Sequence, residues 1–225
     1  MTFLELVQRL RQEAGVSGGS PGTLVGASAE VQRYANWINA AWMDIQTLHD
    51  DWYFLRSTFS FNTVAQQQTY TASQCGISAL GNFKNDSLRL YSPSLGYSNE
   101  MILPYLPYDT LRDMYMFGNM RTTYARPVAF SIDPQKNLVL GTTPDQVYTV
   151  NGEYYKQPSL LSGDGDTPAL PTQYHLAIVY RALMLFGGYE SAKDIFMLGQ
   201  AEYAKILRRI ERDQIPDPVF GAPLA

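Results

Sequence analysis

Three residues of the stretch TLHDDWYFLRSTFSF, Thr47 to Phe61, have the side chains for chemistry: His49, Asp50 and Asp51. A histidine beside two carboxylates is raw material for a metal cluster or an acid–base pair. Metal binding needs ligands at i and i+4 on one helix face, or ligands converging from separate elements. The chain offers only one more histidine, His175, and one cysteine, Cys75. The three residues also stand where an amphipathic helix should end. A histidine there interacts favourably with the helix dipole, and paired aspartates make a natural exit turn. The structural reading is preferred, with Trp52, Phe54 and Leu55 as the apolar wedge that follows.

Two further patterns invite a chemical reading. GVSGG, Gly15 to Gly19, matches G-x-S-x-G, with Ser17 as nucleophile and His175 as a distant base. The nucleophile elbow needs a strand before the serine and a helix directly after it. Here a helical pattern precedes and a Gly/Ser/Pro loop follows, so the strained turn is missing. GDGDTP, Gly163 to Pro168, supplies two aspartates, as half of a calcium loop would. The third oxygen ligand, the glycine at the sixth position and the distal glutamate are absent, so it reads as a tight turn. The early glycine loop lacks the Gly-Lys-Ser/Thr ending of a phosphate cradle. No catalytic, cofactor-binding or metal site is expected, and no cofactor.

The elements that would position these residues follow from periodicity. Phe3, Leu6, Val7 and Leu10 recur at helical spacing, and Gly15 ends that run. GVSGGSPGTLVGA reads as a flexible connector. Ser28 suits an N-cap, and Val31, Tyr34, Ile38, Trp42 and Ile45 mark the face of a second helix ending near Asp50. The middle of the chain is rich in β-branched and aromatic residues: STFSFNT, QQTYTA, DSLRLY, RPVAFSID, NLVLGTT and VYTVNGEYYKQP. YDTLRDMYMFG interrupts it as a brief helix. Pro171 then suits the first turn of an almost wholly apolar helix, LAIVYRALMLFGG. Ala192, Phe196, Gly199, Tyr203, Ile206 and Ile210 trace a seam on the last helix, which Pro216 and Pro218 stop.

The expected fold class is α+β: N- and C-terminal helices forming one bundle, with an inserted antiparallel β-sandwich or small barrel. The expected boundaries are residues 1–51 with 169–214 for the bundle, 52–168 for the insertion and 215–225 for an extended tail. A length of 225 residues with 45% hydrophobic and 17% charged content is ordinary globular composition. The net charge of −4 gives no broad basic footprint for coating nucleic acid, though it allows a passage through which DNA slides. The charged N-terminal run is unlike a signal peptide, and the longest apolar run is too short to span a bilayer, so a soluble chain is expected. One cysteine allows no internal disulfide, which fits a reducing compartment.

Two features suit assembly. The LAIVYRALMLFGG helix has little polar face, so Ile178, Leu183, Leu185 and Phe186 are candidates for a subunit interface, although a thick three-helix core would also cover them. The tail IPDPVFGAPLA spaces Ile215, Val219, Phe220 and Leu224 with Pro216, Pro218 and a later proline, which holds an extended segment open for docking. Lys205, Arg208, Arg209 and Arg212 crowd the end of the last helix, either complementing its dipole or forming a patch for an acidic partner or DNA.

Taken in order, DDWYFLR, STFSFNT and QTYT, then RPVAFSID, NLVLGTTPD and YTVNGEYYKQPSLLSGDGDTPALPTQYH, resemble the head-to-tail adaptor (connector or neck) proteins of tailed bacteriophages, of the tail tubular protein A kind. Leu161, Asp164, Asp166, Pro168, Leu170, Pro171 and His175 stand in the places of that family's L…D.D.P.LP…H segment. The resemblance implies a non-catalytic virion protein at the head–tail junction, made in the host cytoplasm. It implies a ring, usually dodecameric, beneath the portal, which extends the DNA channel, passes packaged DNA without sequence-specific binding and docks the downstream tail or nozzle protein. It further implies that the C-terminal segment, here Ile215 to Ala225, reaches the portal, and that no membrane is involved. On this reading Asp50, Asp51, Trp52, Phe54 and Leu55 form a joint between the helices and the sheet insertion. The alternatives are another neck, stopper or tail-completion protein, or a hydrolase.

Overall fold

The structure, a computed structural model, describes residues 1–216. Its helices are α1 (Phe3–Glu13), α2 (Ala29–Leu48), α3 (Tyr108–Tyr115), α4 (Leu176–Tyr189) and α5 (Lys193–Gln214). Its strands are β1 (Arg56–Asn62), β2 (Thr69–Tyr70), β3 (Leu80–Phe83), β4 (Arg89–Tyr91), β5 (Met101–Ile102), β6 (Ala129–Ile132), β7 (Leu138–Gly141) and β8 (Thr149–Lys156). The fold is α+β. The chain divides into two compact units, Met1–Leu55 with the residues from Pro158 onward, and Arg56–Gln157.

In the helical unit, α1 opens with a capping box: Thr2 Oγ1 accepts from Glu5 N–H, and Glu5 Oε2 accepts from Thr2 N–H. Ser28 caps α2 by accepting from Val31 N–H. Both helices bury the faces that periodicity marks, α1 through Phe3, Leu6, Val7 and Leu10, α2 through Val31, Tyr34, Ile38, Trp42 and Ile45. Pro171 does not start α4. It caps a separate 3-10 turn, Thr172–Tyr174, because α4 begins only after the chain has turned at His175.

The expectation that α4 needs neighbouring copies to keep it dry is corrected here. Ile178 and Leu183 have no exposed surface and Phe186 only 7%, because α1, α2 and α5 of the same chain pack around this helix. Of the four candidate interface residues only Leu185 is half-buried, so the proposed interface helix is instead the core of its own unit. Its one internal charge is matched too: Arg181 Nε and Nη2 donate to Asp44 Oδ2 of α2 at 2.9 and 2.7 Å.

The α4–α5 pair packs closely because two glycines allow it. A Cβ on Gly187 would lie 2.7 Å from Phe196 N, and one on Gly199 would lie 3.0 Å from the Tyr180 carbonyl. The seam on α5 is therefore narrow, with Gly199 and Ile210 buried and Phe196, Tyr203 and Ile206 half-buried.

The β unit holds two open sheets, so the sandwich expectation fits and the barrel alternative does not. One sheet runs β1-β8-β4-β5, with β3 also on β8, and the other runs β2-β7-β6, each pairing antiparallel. Their facing side chains, among them Phe59, Phe61, Tyr70, Leu90, Phe130, Leu140 and Val150, form a core separate from that of the helices. Phe59 lies over its cross-strand partner Gly152, where a Cβ would meet the ring at 2.8 Å. Cys75 is buried there, and burial pushes its thiol up to about 12, so it is inert at neutral pH.

Gly187→Ala should destabilise the protein by about 1–3 kcal/mol, since its methyl meets backbone rather than a movable side chain. Gly188→Ala, with nothing within 4 Å, should be neutral or stabilising by up to about 1 kcal/mol. Urea unfolding of the two variants separates them.

Candidate functional site: the clasp and the C-terminal helix

The His49 cluster is a helix end. His49 leaves α2 with extended backbone, its ring edge-on to Trp52 at 4.8 Å and its Nε2 3.4 Å from Glu211 Oε1. Trp52 is fully buried, donates Nε1–H to the Ile45 carbonyl at 2.9 Å and stacks on Phe54, while Leu55 is 5% exposed. Asp50 is exposed and Asp51 half-buried. Trp52, Phe54 and Leu55 thus pack into the helical core, and they fix the chain's exit from that unit. Among the described residues no group of three or more His, Cys, Asp or Glu side chains is arranged to hold a metal ion.

The two aspartates of GDGDTP form a clasp. Asp164 Oδ1 accepts from Leu24 N–H at 2.9 Å, and its Oδ2 accepts from Thr23 Oγ1 at 2.5 Å. The main-chain carbonyls of Asp166 and Asp164 accept from the N–H groups of Phe3 and Leu4, at the start of α1. Asp166 Oδ2 in turn accepts from the N–H groups of Gly163 and Ser162, which hold its carboxyl below the usual carboxylate range. The glycine-rich connector is accordingly anchored rather than free. Besides Asp164, Gln8 Nε2 donates to the Pro21 carbonyl at 2.8 Å and Arg11 Nη1 to that of Gly19 at 3.2 Å.

His175 completes the clasp. It is 1% exposed, its Nε2 donates to the Leu170 carbonyl at 2.8 Å, and its Nδ1 accepts from the Met1 amino group at 2.7 Å. Burial holds its pKa below the ordinary histidine value. With both nitrogens engaged it has no free lone pair to act as base, and Ser17 sits on the exposed surface of the connector. The serine–histidine hydrolase reading therefore has no pair to work with.

Two residues that periodicity did not single out hold the returning chain. Gln46 exchanges a pair of bonds with the backbone of Ser159, Nε2 to the carbonyl and Oε1 from the N–H, both at 3.0 Å. Asn39 does the same for Leu161, both at 2.9 Å. The amides lie on α2 two helical turns apart, so they replace the strand partner that this extended segment lacks. The signal that could have found them is a buried-face glutamine among apolar neighbours.

At the far end of α5, Lys205 pairs with Glu202, while among the described residues Arg208, Arg209 and Arg212 are exposed and make no ion pair. Ile215 packs against the helical core and Pro216 follows it. Pro218, Val219, Phe220 and Leu224 lie outside the described residues. In the β unit the exposed large apolar side chains include Leu95 (62%), Tyr97 (75%), Ile102, Met114, Phe117 and Tyr124.

Gln46→Ala should cost about 0.5–1.5 kcal/mol in urea unfolding, because it removes both bonds that this buried side chain makes to the exposed backbone of Ser159. For His175 the sign follows from its lowered native pKa: the unfolded chain takes up a proton that the native state refuses. Stability is then complete above the unfolded value of about 6.5 and declines as pH falls below it. Urea midpoints measured downward from neutral pH should fall for the wild type and fall less for His175→Gln.

A search of curated proteins returned no significant match. A family model described as SU10 adaptor protein matches residues 1–223, nearly the whole chain. That span takes in both compact units and the whole clasp. The chain belongs to the SU10 adaptor family, a family of phage head-to-tail adaptors.

Proposed function

We propose that this chain is a virion structural protein that forms a ring, of twelve copies as the family resemblance implies, beneath the portal. There it extends the DNA channel, docks the downstream tail or nozzle protein and acts without catalysis or cofactor. The observation that carries this reading is the family match over residues 1–223. On this reading the protein sits at the head–tail junction of the virion, after synthesis in the host cytoplasm.

The distribution of side chains supports the division of labour. The helical unit buries Leu6, Leu10, Ile38, Trp42, Ile178 and Leu183 inside itself and presents, at the end of α5, the cations Arg208, Arg209 and Arg212, which make no ion pair among the described residues. Cations there complement the helix dipole and also favour a negatively charged partner. The tail, with Val219 and Phe220 between prolines and Leu224 after the last, is the portal-docking segment. The exposed Leu95, Tyr97, Phe117 and Tyr124 of the β unit are the kind of apolar and aromatic side chains that anchor interfaces, and they suit contact with tail components. A net charge of −4 suits a wall past which DNA slides without being held. Among the described residues no helix is long and apolar enough to cross a membrane.

Because Ile215 belongs to the helical core, the informative truncation starts at Asp217. Removing 217–225 should abolish co-sedimentation with portal while leaving the melting temperature unchanged. Retained association would take the tail out of the docking role.

A further inference from the structure

The two sheets treat their edges unequally. Natural proteins blunt sheet edges with very short strands, bulges, charges or covering segments, because an open edge recruits other strands. Four of the strands fit that rule, and a fifth, β4, is not an edge. β2 and β5 are two residues long. β3 is irregular at Gly81, whose carbonyl takes Lys136 Nζ at 2.7 Å. β6 is covered, since Phe130 N–H donates to the Pro104 carbonyl and Leu106 N–H to that of Phe130. β4 lies between β8 and β5. β1 is the exception: seven residues, RSTFSFN, regularly paired with β8 on one side and, among the described residues, last in its sheet on the other.

The register fixes which groups face outward. Thr63 N–H donates to the Tyr148 carbonyl, so Thr63 and its alternates Phe61, Phe59 and Ser57 direct their main-chain groups toward β8. Thr58, Ser60 and Asn62 therefore direct theirs to the open edge, and all three residues are exposed. No charge, proline or glycine interrupts the run from Ser57 to Asn62. On the inner face, Phe59 and Phe61 retain 7% and 9% of their surface.

We propose that the open edge of β1 at Thr58, Ser60 and Asn62 accepts an extended strand from a different protein of the virion. Such a strand would continue both faces of the sheet. Its inward residues would be apolar, extending the Phe59–Phe61 stack, and its outward residues polar, beside Thr58 and Ser60. Among the described residues a second copy has only its own β1 edge to lend, and that self-pairing is a two-fold contact that closes a dimer rather than a ring, so the partner is a different protein. Between Pro218 and Pro223 the tail has only four residues. Placing the partner in the virion rests on the adaptor family, but strand addition requires neither a particular ring size nor portal contact through the tail.

Amide hydrogen exchange, read by mass spectrometry on the isolated protein, on oligomers of the pure protein and on intact virions, tests this directly. In all three, Ser57, Phe59 and Phe61 should exchange slowly, since they bond to β8. Thr58, Ser60 and Asn62 should exchange quickly in the first two samples and about 100-fold more slowly in virions. Equal, fast exchange of these three amides in virions would overturn the proposal. So would slowing already present in oligomers of the pure protein, since the strand would then come from a second copy. Neither outcome bears on portal binding, so this idea and the adaptor function fail separately.

Discussion

The structure depends on how the chain's second half is fastened to its first. The helical unit is built from two stretches of sequence with residues 56–157 between them, and bringing such distant pieces together costs about 4 kcal/mol of loop-closure entropy beyond a constant. Burial of α4 among α1, α2 and α5 supplies the bulk of the compensation. The geometry comes from polar contacts: Asn39 and Gln46 on Leu161 and Ser159, Asp164 on the connector, and His175 between Leu170 and the N-terminal amine. Those to the buried Leu161 and Leu170 satisfy main-chain groups that would otherwise be desolvated without partners, and such groups are expensive to leave unpaired.

This fastening changes where assembly can occur. A helix as apolar as α4 invites the idea that sister copies cover it, yet Ile178 and Leu183 are already dry inside one chain. Contacts with other proteins then fall on what is left outside, which includes Met197 and Leu198 of α5 and its cationic end, the aromatic side chains exposed on the β unit and the open edge of β1. These surfaces are polar or modest in apolar area, which suits a component added late to an existing assembly better than an obligate oligomer with a hydrophobic seam.

Much of the framework was readable from residue order. Helical periodicity marked both N-terminal helices, with Ser28 as cap, and alternation found β1, β6, β7 and β8. β3 and β5 escaped because one carries a glycine bulge and the other is two residues long, too short for alternation to show. Pro171 misplaced the start of α4, because a 3-10 turn intervenes. The clasp was visible only as a resemblance. Its bonds join residues as far apart as Thr23 and Asp164, and side-chain-to-backbone pairing at that separation leaves no periodic trace. For the same reason the connector read as free, although three separate side chains tether it.

The residues that first suggested catalysis, His49 with its aspartates, Ser17 and His175, end as a helix terminus, a surface loop and a buried strut. Membership of the adaptor family makes attachment the chemistry we propose for it. Electron microscopy of purified portal mixed with this protein tests that most directly. The account predicts an added collar of density on one end of the portal, with the symmetry of a ring; portals that look the same with and without the protein would contradict it.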